Sequence, residues 1–442
     1  MIKYSGTLQP LLRGTIPSAL GLPQSLPDLC VNICQSIQSR NSRSFLCLNR
    51  FTTSSESRVR NNSKDEGKTP KKRRLDSKEM LDNAATFENI DTIEDDQNWT
   101  TSPYPKGSER IKRRSQASYS LRPNMDPRQT SILLFPGQGT QFVGMGKKLM
   151  KFPVARDLFD YANEILQYDL KKLCFEGPIE ELSKTVHSQP AIFVCSLAAV
   201  ERLKEEQPTA IENCMAAAGY SLGEISALTF AGALTFERAL MLVKVRAEAM
   251  QLASEMAPGG MATVFYGPDH KLGLACSKAR DWCAERGIED PVCSIASYMY
   301  PDCKVIAGHE EALRYIEENK ALYRIKRVQR LRVNGAFHTD LMRPAVEPFV
   351  EALRSAGTSD PFVSVHSNLD GKRYKDAKQV YMTLPKLLYK PIKWEQTLHV
   401  LYERPQGSHF PRTFECGPGE TLKSILQKVN LLACRNLENI GV

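Results

Sequence analysis

From residue 130 onward the apolar positions fall into two kinds of run. Ile132-Leu133-Leu134-Phe135 and Cys214-Met215-Ala216-Ala217-Ala218 are continuous apolar blocks, the pattern of short strands covered on both faces. Between and after them, apolar residues recur at helical spacing. This predicts helices over 189–200, over 225–231, and from a Thr235 cap to about 256. Residues 260–333 read differently: strand 261–265, helix 271–286, strands 292–296 and 303–307, helix 310–319 and strand 328–333. That βαββαβ order is the order of a ferredoxin-like unit. Strand 362–366, a strand and turn over 414–419, and a closing helix 421–429 follow. The expected fold class is therefore α/β. A large α/β-hydrolase-like catalytic domain, residues 129–258 and 336–440, carries an inserted small ferredoxin-like (βαββαβ) subdomain, residues 259–335.

Before residue 129 the periodicity fades. Residues 1–60 hold seven Lys and Arg but only Asp28 and Glu56 as acids, and they are rich in Ser and Thr. This is the composition of a mitochondrial transit peptide, with an ordinary unfolded tail as the alternative. Residues 61–128 are expected to be a disordered linker. Lys71-Lys72-Arg73-Arg74 within them reads either as a solvated run or as a nuclear import signal.

Bulk composition changes this picture only at the edges. Hydrophobic residues make up 42% of the 442 and charged ones 25%, as in globular proteins. The net charge is +9, yet residues 1–128 carry 21 Lys and Arg against 14 Asp and Glu. The remainder is near neutral, which argues against a nucleic-acid partner. No run of 18 apolar residues offers a membrane span. Twelve cysteines without a C-x-x-C pair read as reduced, buried thiols rather than as a disulfide framework or metal site.

Four places carry candidate chemistry. Gly219-Tyr220-Ser221-Leu222-Gly223-Glu224 sits between a predicted strand and a predicted helix. It reads either as an ordinary glycine turn or as a nucleophile elbow with the serine at its apex. Pro136-Gly137-Gln138-Gly139-Thr140-Gln141 follows the first strand, and its spacing fits neither a dinucleotide fingerprint nor a Walker loop. Gln138 there could offer a backbone N–H to a site. Arg246 lies on the apolar stripe of Ala239, Leu242, Val243, Met250 and Ala253, so it must either meet an anion or send its head to solvent. His338, in Asn334-Gly335-Ala336-Phe337-His338-Thr339, is the histidine best placed to serve a site. His187, His366 and His399 read as partly buried helix or strand residues.

These stretches together resemble the malonyl-CoA:acyl-carrier-protein transacylase family, most of all its animal mitochondrial members. The matching segments are Phe135 to Gln141, Gln189-Pro190, Gly219 to Glu224, Val245 to Met250, Gly335 to Thr339, Pro391 to Trp394 and Glu415 to Gly419, in the family's order over about residues 130–435. The resemblance implies an acyltransferase that moves a malonyl group from malonyl-CoA to the phosphopantetheine thiol of acyl carrier protein. It would serve mitochondrial type II fatty-acid synthesis in the matrix, without metal or redox cofactor. It implies Ser221 as the acylated nucleophile, His338 as its base, and Arg246 as the partner of the malonyl carboxylate. The backbone N–H groups of Gln138 and Leu222 would form the oxyanion hole, and Phe337 would limit room at the malonyl α-carbon. Bacterial members often have a glutamine where this chain has Leu387, whose carbonyl can still orient the histidine. A serine hydrolase or thioesterase, and a silent scaffold subunit, are the rival readings; Arg246 speaks against the first and the intact residue set against the second.

Overall fold

In the computed structural model, the described residues are 118–333, 335–404 and 407–442. The transit-peptide reading of 1–60 and the basic cluster 71–74 lie outside them. They form an α/β structure with two five-stranded sheets.

The first sheet is wholly parallel. Its strands are β1 (Ser131–Phe135), β2 (Cys214–Gly219), β7 (Ser364–His366), β9 (Arg412–Cys416) and β10 (Leu437–Ile440), ordered β10-β9-β1-β2-β7. Ile132, Leu133, Leu134 and Phe135 are fully buried, as a central parallel strand covered on both faces requires. Phe135 pairs with Gly219, Ala218 with His366, and Leu134 with Glu415. The carboxyl ends of four strands therefore lie side by side, which is where open parallel sheets place their sites.

Nine helices of nine or more residues are described: α1 (Pro153–Leu166), α2 (Thr185–Glu206), α3 (Leu222–Phe230), α4 (Phe236–Met256), α5 (Leu272–Ala284), α6 (Glu310–Asn319), α7 (Val346–Ala356), α8 (Trp394–Tyr402) and α9 (Thr421–Val429). Helix α2 begins one turn before the expected start at Gln189, and Pro190 lies inside it. The proline removes one backbone bond in the second turn. The buried run of residues 191–200 holds the helix in place regardless. Helix α4 packs across α2, and Thr235 caps it by accepting the Arg238 N–H at 3.4 Å.

The second sheet has β3 (Gly259–Tyr266), β4 (Cys293–Tyr300), β5 (Cys303–His309) and β6 (Ile325–Arg330), with β8 (Ile392–Lys393), in the order β6-β3-β5-β4-β8. Neighbours are antiparallel except β4 and β8, which are parallel. Helices α5 and α6 close one face over a separate core that includes Val264, Ala275, Ile306 and Leu313.

Three expectations are corrected. The last insert strand spans Ile325–Arg330 rather than 328–333. It starts earlier with the adjacent exposed pair Lys326 and Arg327, where the pairing with β3 shifts register, and such a charged, irregular stretch carries no apolar alternation to mark it in sequence. Strand β8 comes from beyond residue 336, so the second sheet is not confined to 259–335. Residues 118–128, taken as the end of a linker, are folded onto the body. Ser120 is buried against His366 at 3.2 Å, Arg122 donates to the carbonyls of Val400 (3.1 Å) and Glu403, and Asp126 caps the turn Pro127–Gln129. Side-chain hydrogen bonds to residues hundreds of positions away leave no periodic trace in sequence. Nine cysteines among the described residues are free thiols, and no described helix is long and apolar enough to cross a membrane.

Candidate active site

The turn after β2 is shaped by what its glycines lack. A Cβ on Gly219 would lie 1.9 Å from the backbone of Gly223, and one on Gly223 would lie 2.2 Å from the Phe135 carbonyl. Strand, turn and helix can approach this closely only without side chains there. Ser221, between them, has φ 53° and ψ −102°, a conformation that L-residues rarely adopt. Its side chain stands at the N-terminus of α3.

His338 reaches the same hydroxyl from the turn after β6, with Nε2 2.9 Å from Ser221 Oγ. Its Nδ1 lies 2.6 Å from the carbonyl oxygen of Leu387, which can only accept. Nδ1 therefore carries the proton, and Nε2 presents its lone pair to the serine O–H. The His338 N–H also donates to Leu388 O at 3.1 Å, so ring and backbone are both fixed by one short 3₁₀ segment, Leu384–Leu388. Burial, reinforced by the nearby Arg246 charge, lowers the His338 pKa from 6.5 to about 3. The ring is neutral at physiological pH.

Arg246 does not reach solvent. It is 3% exposed, and its guanidinium donates to Gln189 Oε1 at 2.6 Å and to Ser221 Oγ at 2.9 Å. Burial lowers its pKa to about 10, opposed by Glu224, so it keeps its charge at neutral pH. The polar chain continues outward: Gln189 Nε2 donates to Gln138 Oε1 at 3.2 Å, and Gln138 Nε2 to Thr185 Oγ1 at 3.2 Å.

Five of the six candidate residues thus converge. Ser221, His338 and Arg246 are in direct contact, Leu222 opens α3 beside Ser221, and Gln138 joins through Gln189. The sixth, Phe337, is buried next to His338 within the larger core. Sequence reasoning missed Asn368 and Tyr374 and gave Glu224 no role of its own. Asn368 Oδ1 accepts the Ser221 N–H at 2.7 Å, and the Asn368 N–H donates to Glu224 Oε2 at 2.7 Å. The other Glu224 oxygen accepts from the Tyr374 hydroxyl. Burial raises the Glu224 pKa to about 8, while its two hydrogen bonds pull it back. A glutamate as the one charged residue of the buried helix α3 was the available signal.

Chemically, the cluster offers a hydroxyl at a helix N-terminus, a neutral imidazole to take its proton, and a buried cation beside both. That set suits attack on an acyl group that carries an anion. Comparison with known proteins agrees. The family model described as acyl transferase domain matches residues 132–383. A Drosophila melanogaster protein named as a probable mitochondrial malonyl-CoA-acyl carrier protein transacylase is 56% identical over 319 residues, covering 72% of this chain and 84% of its own length. The Homo sapiens mitochondrial malonyl-CoA-acyl carrier protein transacylase is 50% identical over 316 residues, covering 72% and 81%. A solved malonyl-transacylase, in complex with its type II PKS acyl-carrier protein, aligns with a TM-score of 0.61 at 31% identity, over 70% of this chain and 94% of that one. The chain belongs to the malonyl-CoA-acyl carrier protein transacylase family of acyltransferases.

Proposed function

We propose that this chain transfers the malonyl group of malonyl-CoA to the phosphopantetheine thiol of acyl carrier protein through a malonyl-serine ester. The observation that carries the reading is the buried Arg246 guanidinium touching the same hydroxyl that faces His338. His338 Nε2 takes the Ser221 proton as Oγ attacks the thioester carbonyl. The tetrahedral oxyanion meets the backbone N–H groups of Leu222 and Gln138, each such donor being worth about 3 kcal/mol. Collapse expels the coenzyme A thiol, which receives the proton from His338. The carrier thiol then gives its proton to His338 and attacks the ester, and the proton returns to Ser221. Arg246 holds the malonyl carboxylate through both steps, and Phe337 limits bulk at its α-carbon.

The parallel sheet with its strand-turn-helix elbow supports an α/β-hydrolase-like reading of residues 129–258 and 336–440. The strand order β6-β3-β5-β4 over a βαββαβ sequence supports a ferredoxin-like reading of residues 259–335. The composition of residues 1–60 and the mitochondrial relatives support work in the matrix, for mitochondrial type II fatty-acid synthesis.

The test is single-turnover incubation with malonyl-CoA followed by mass spectrometry. Wild type should gain one malonyl group on Ser221 and lose it on addition of holo-acyl carrier protein, while Ser221→Ala should gain none. Label retained in that variant rejects the nucleophile, and release to water at the same rate without carrier would make the protein a thioesterase.

A further inference from the structure

We infer that Asn368 is a positioning residue that locks Ser221 in the backbone conformation required for acyl transfer; this rests on reading Ser221 as the acylated nucleophile. A serine at φ 53° and ψ −102° persists only if its surroundings hold it there. Asn368 is fully buried and grips the elbow at three points. Its Oδ1 accepts the Ser221 N–H at 2.7 Å, its Nδ2 donates to Gly219 O at 2.7 Å, and its own N–H donates to Glu224 Oε2 at 2.7 Å. These contacts reach the end of β2 two residues before the nucleophile, the nucleophile itself, and the first turn of α3. The Lys393 N–H donates to Asn368 O at 2.7 Å, which ties the same residue to β8.

The chemistry selects asparagine. One acceptor must face an N–H while one donor, on the same short side chain, faces a carbonyl. Aspartate would set a lone pair against Gly219 O, and an apolar residue would leave two buried backbone groups unpaired. The position follows from the sheet. Ala218 pairs with His366, so the chain two residues beyond β7 lies alongside the elbow. Because the Ser221 N–H is taken by Asn368, it is not available to an oxyanion, and that task falls to neighbouring amides.

The measurement is single-turnover malonyl labelling of the full chain, as wild type, Asn368→Ala and Asn368→Asp, with thermal unfolding followed on the same samples. The alanine variant should acylate about 10²-fold more slowly, the loss that goes with displacing a reacting group by an ångström, with the half-saturating malonyl-CoA concentration unchanged. The aspartate variant keeps the acceptor for the Ser221 N–H and regains a donor to Gly219 O only when protonated. Its rate relative to wild type should therefore climb as the pH falls. Glu224, Tyr374, Asp370, Arg246 and His338 lie around this cluster and are common to both proteins, so the ratio is read rather than the raw profile. A folded alanine variant with the wild-type rate overturns the assignment. So does an aspartate ratio that stays flat with pH or merely tracks its unfolding temperature. Wild type that takes no label at Ser221 overturns instead the nucleophile reading beneath it.

Discussion

Malonyl differs from acetyl by one carboxylate, and Arg246 is a buried cation in contact with the Ser221 hydroxyl, the proposed nucleophile. A guanidinium can meet a carboxylate with two parallel hydrogen bonds. Arg246→Ala should therefore lose malonyl transfer and retain or gain acetyl transfer, because Ser221 and His338 remain paired. Leaving a charged partner unmatched costs about 2–5 kcal/mol, enough to reverse the preference. The ratio of transfer rates from malonyl-CoA and acetyl-CoA, in wild type and variant, decides it; an unchanged ratio would strip Arg246 of its role in selectivity. His338 gives a second prediction. Its folded pKa, about 3, lies below the ordinary 6.5, so protonation opposes the folded form. The stabilising contribution is complete above pH 6.5 and is lost as pH falls from there toward 3. In the folded protein the His338 ring stays neutral until pH nears 3, so if His338 is the base, as proposed, acylation of Ser221 should stay level as pH falls through 6.5. An acid limb centred at 6.5 would mean the imidazole is solvated.

At the scale of elements, what the sequence disclosed and what it hid divide along contact range. The strand, glycine turn and helix around Ser221 are local, and apolar spacing reveals them. Arg246 was legible because a charge interrupted the apolar stripe of α4, and His338 because it follows a glycine near a strand end. Asn368, Tyr374 and the acceptor role of Glu224 were not, because their partners lie about 150 residues away and are joined only by the register of β2 with β7. Glu415 makes the same point: its carboxylate caps α9 by accepting the N–H groups of Leu422 and Lys423 at 2.9 and 3.0 Å, which no periodicity marks. Strands β8 and β10, two and four residues long, are too short to show a pattern at all.

For the whole molecule, the tail and the body make separate claims. Residues 1–60 fused to a reporter should carry it into mitochondria and be shortened near residue 50, where Arg50-Phe51 precedes a run of hydroxyl residues. A reporter left in the cytosol would remove the targeting reading without touching the chemistry. The body, meanwhile, has unequal margins. One side of its second sheet ends in β6, whose exposed Lys326 and Arg327 discourage any further strand from adding. The other side would end in β4, the apolar Cys293-Ser294-Ile295-Ala296-Ser297-Tyr298-Met299-Tyr300, were it not for β8. Among the described residues, the strand that pairs along that side is the two-residue β8, opposite Ser297 and Tyr298. Residues 259–333 expressed alone would bare the β4 ladder that β8 covers, and sedimentation should find them associated to a higher order than the intact chain at the same concentration; an equal state in both would mean that β8 protects nothing.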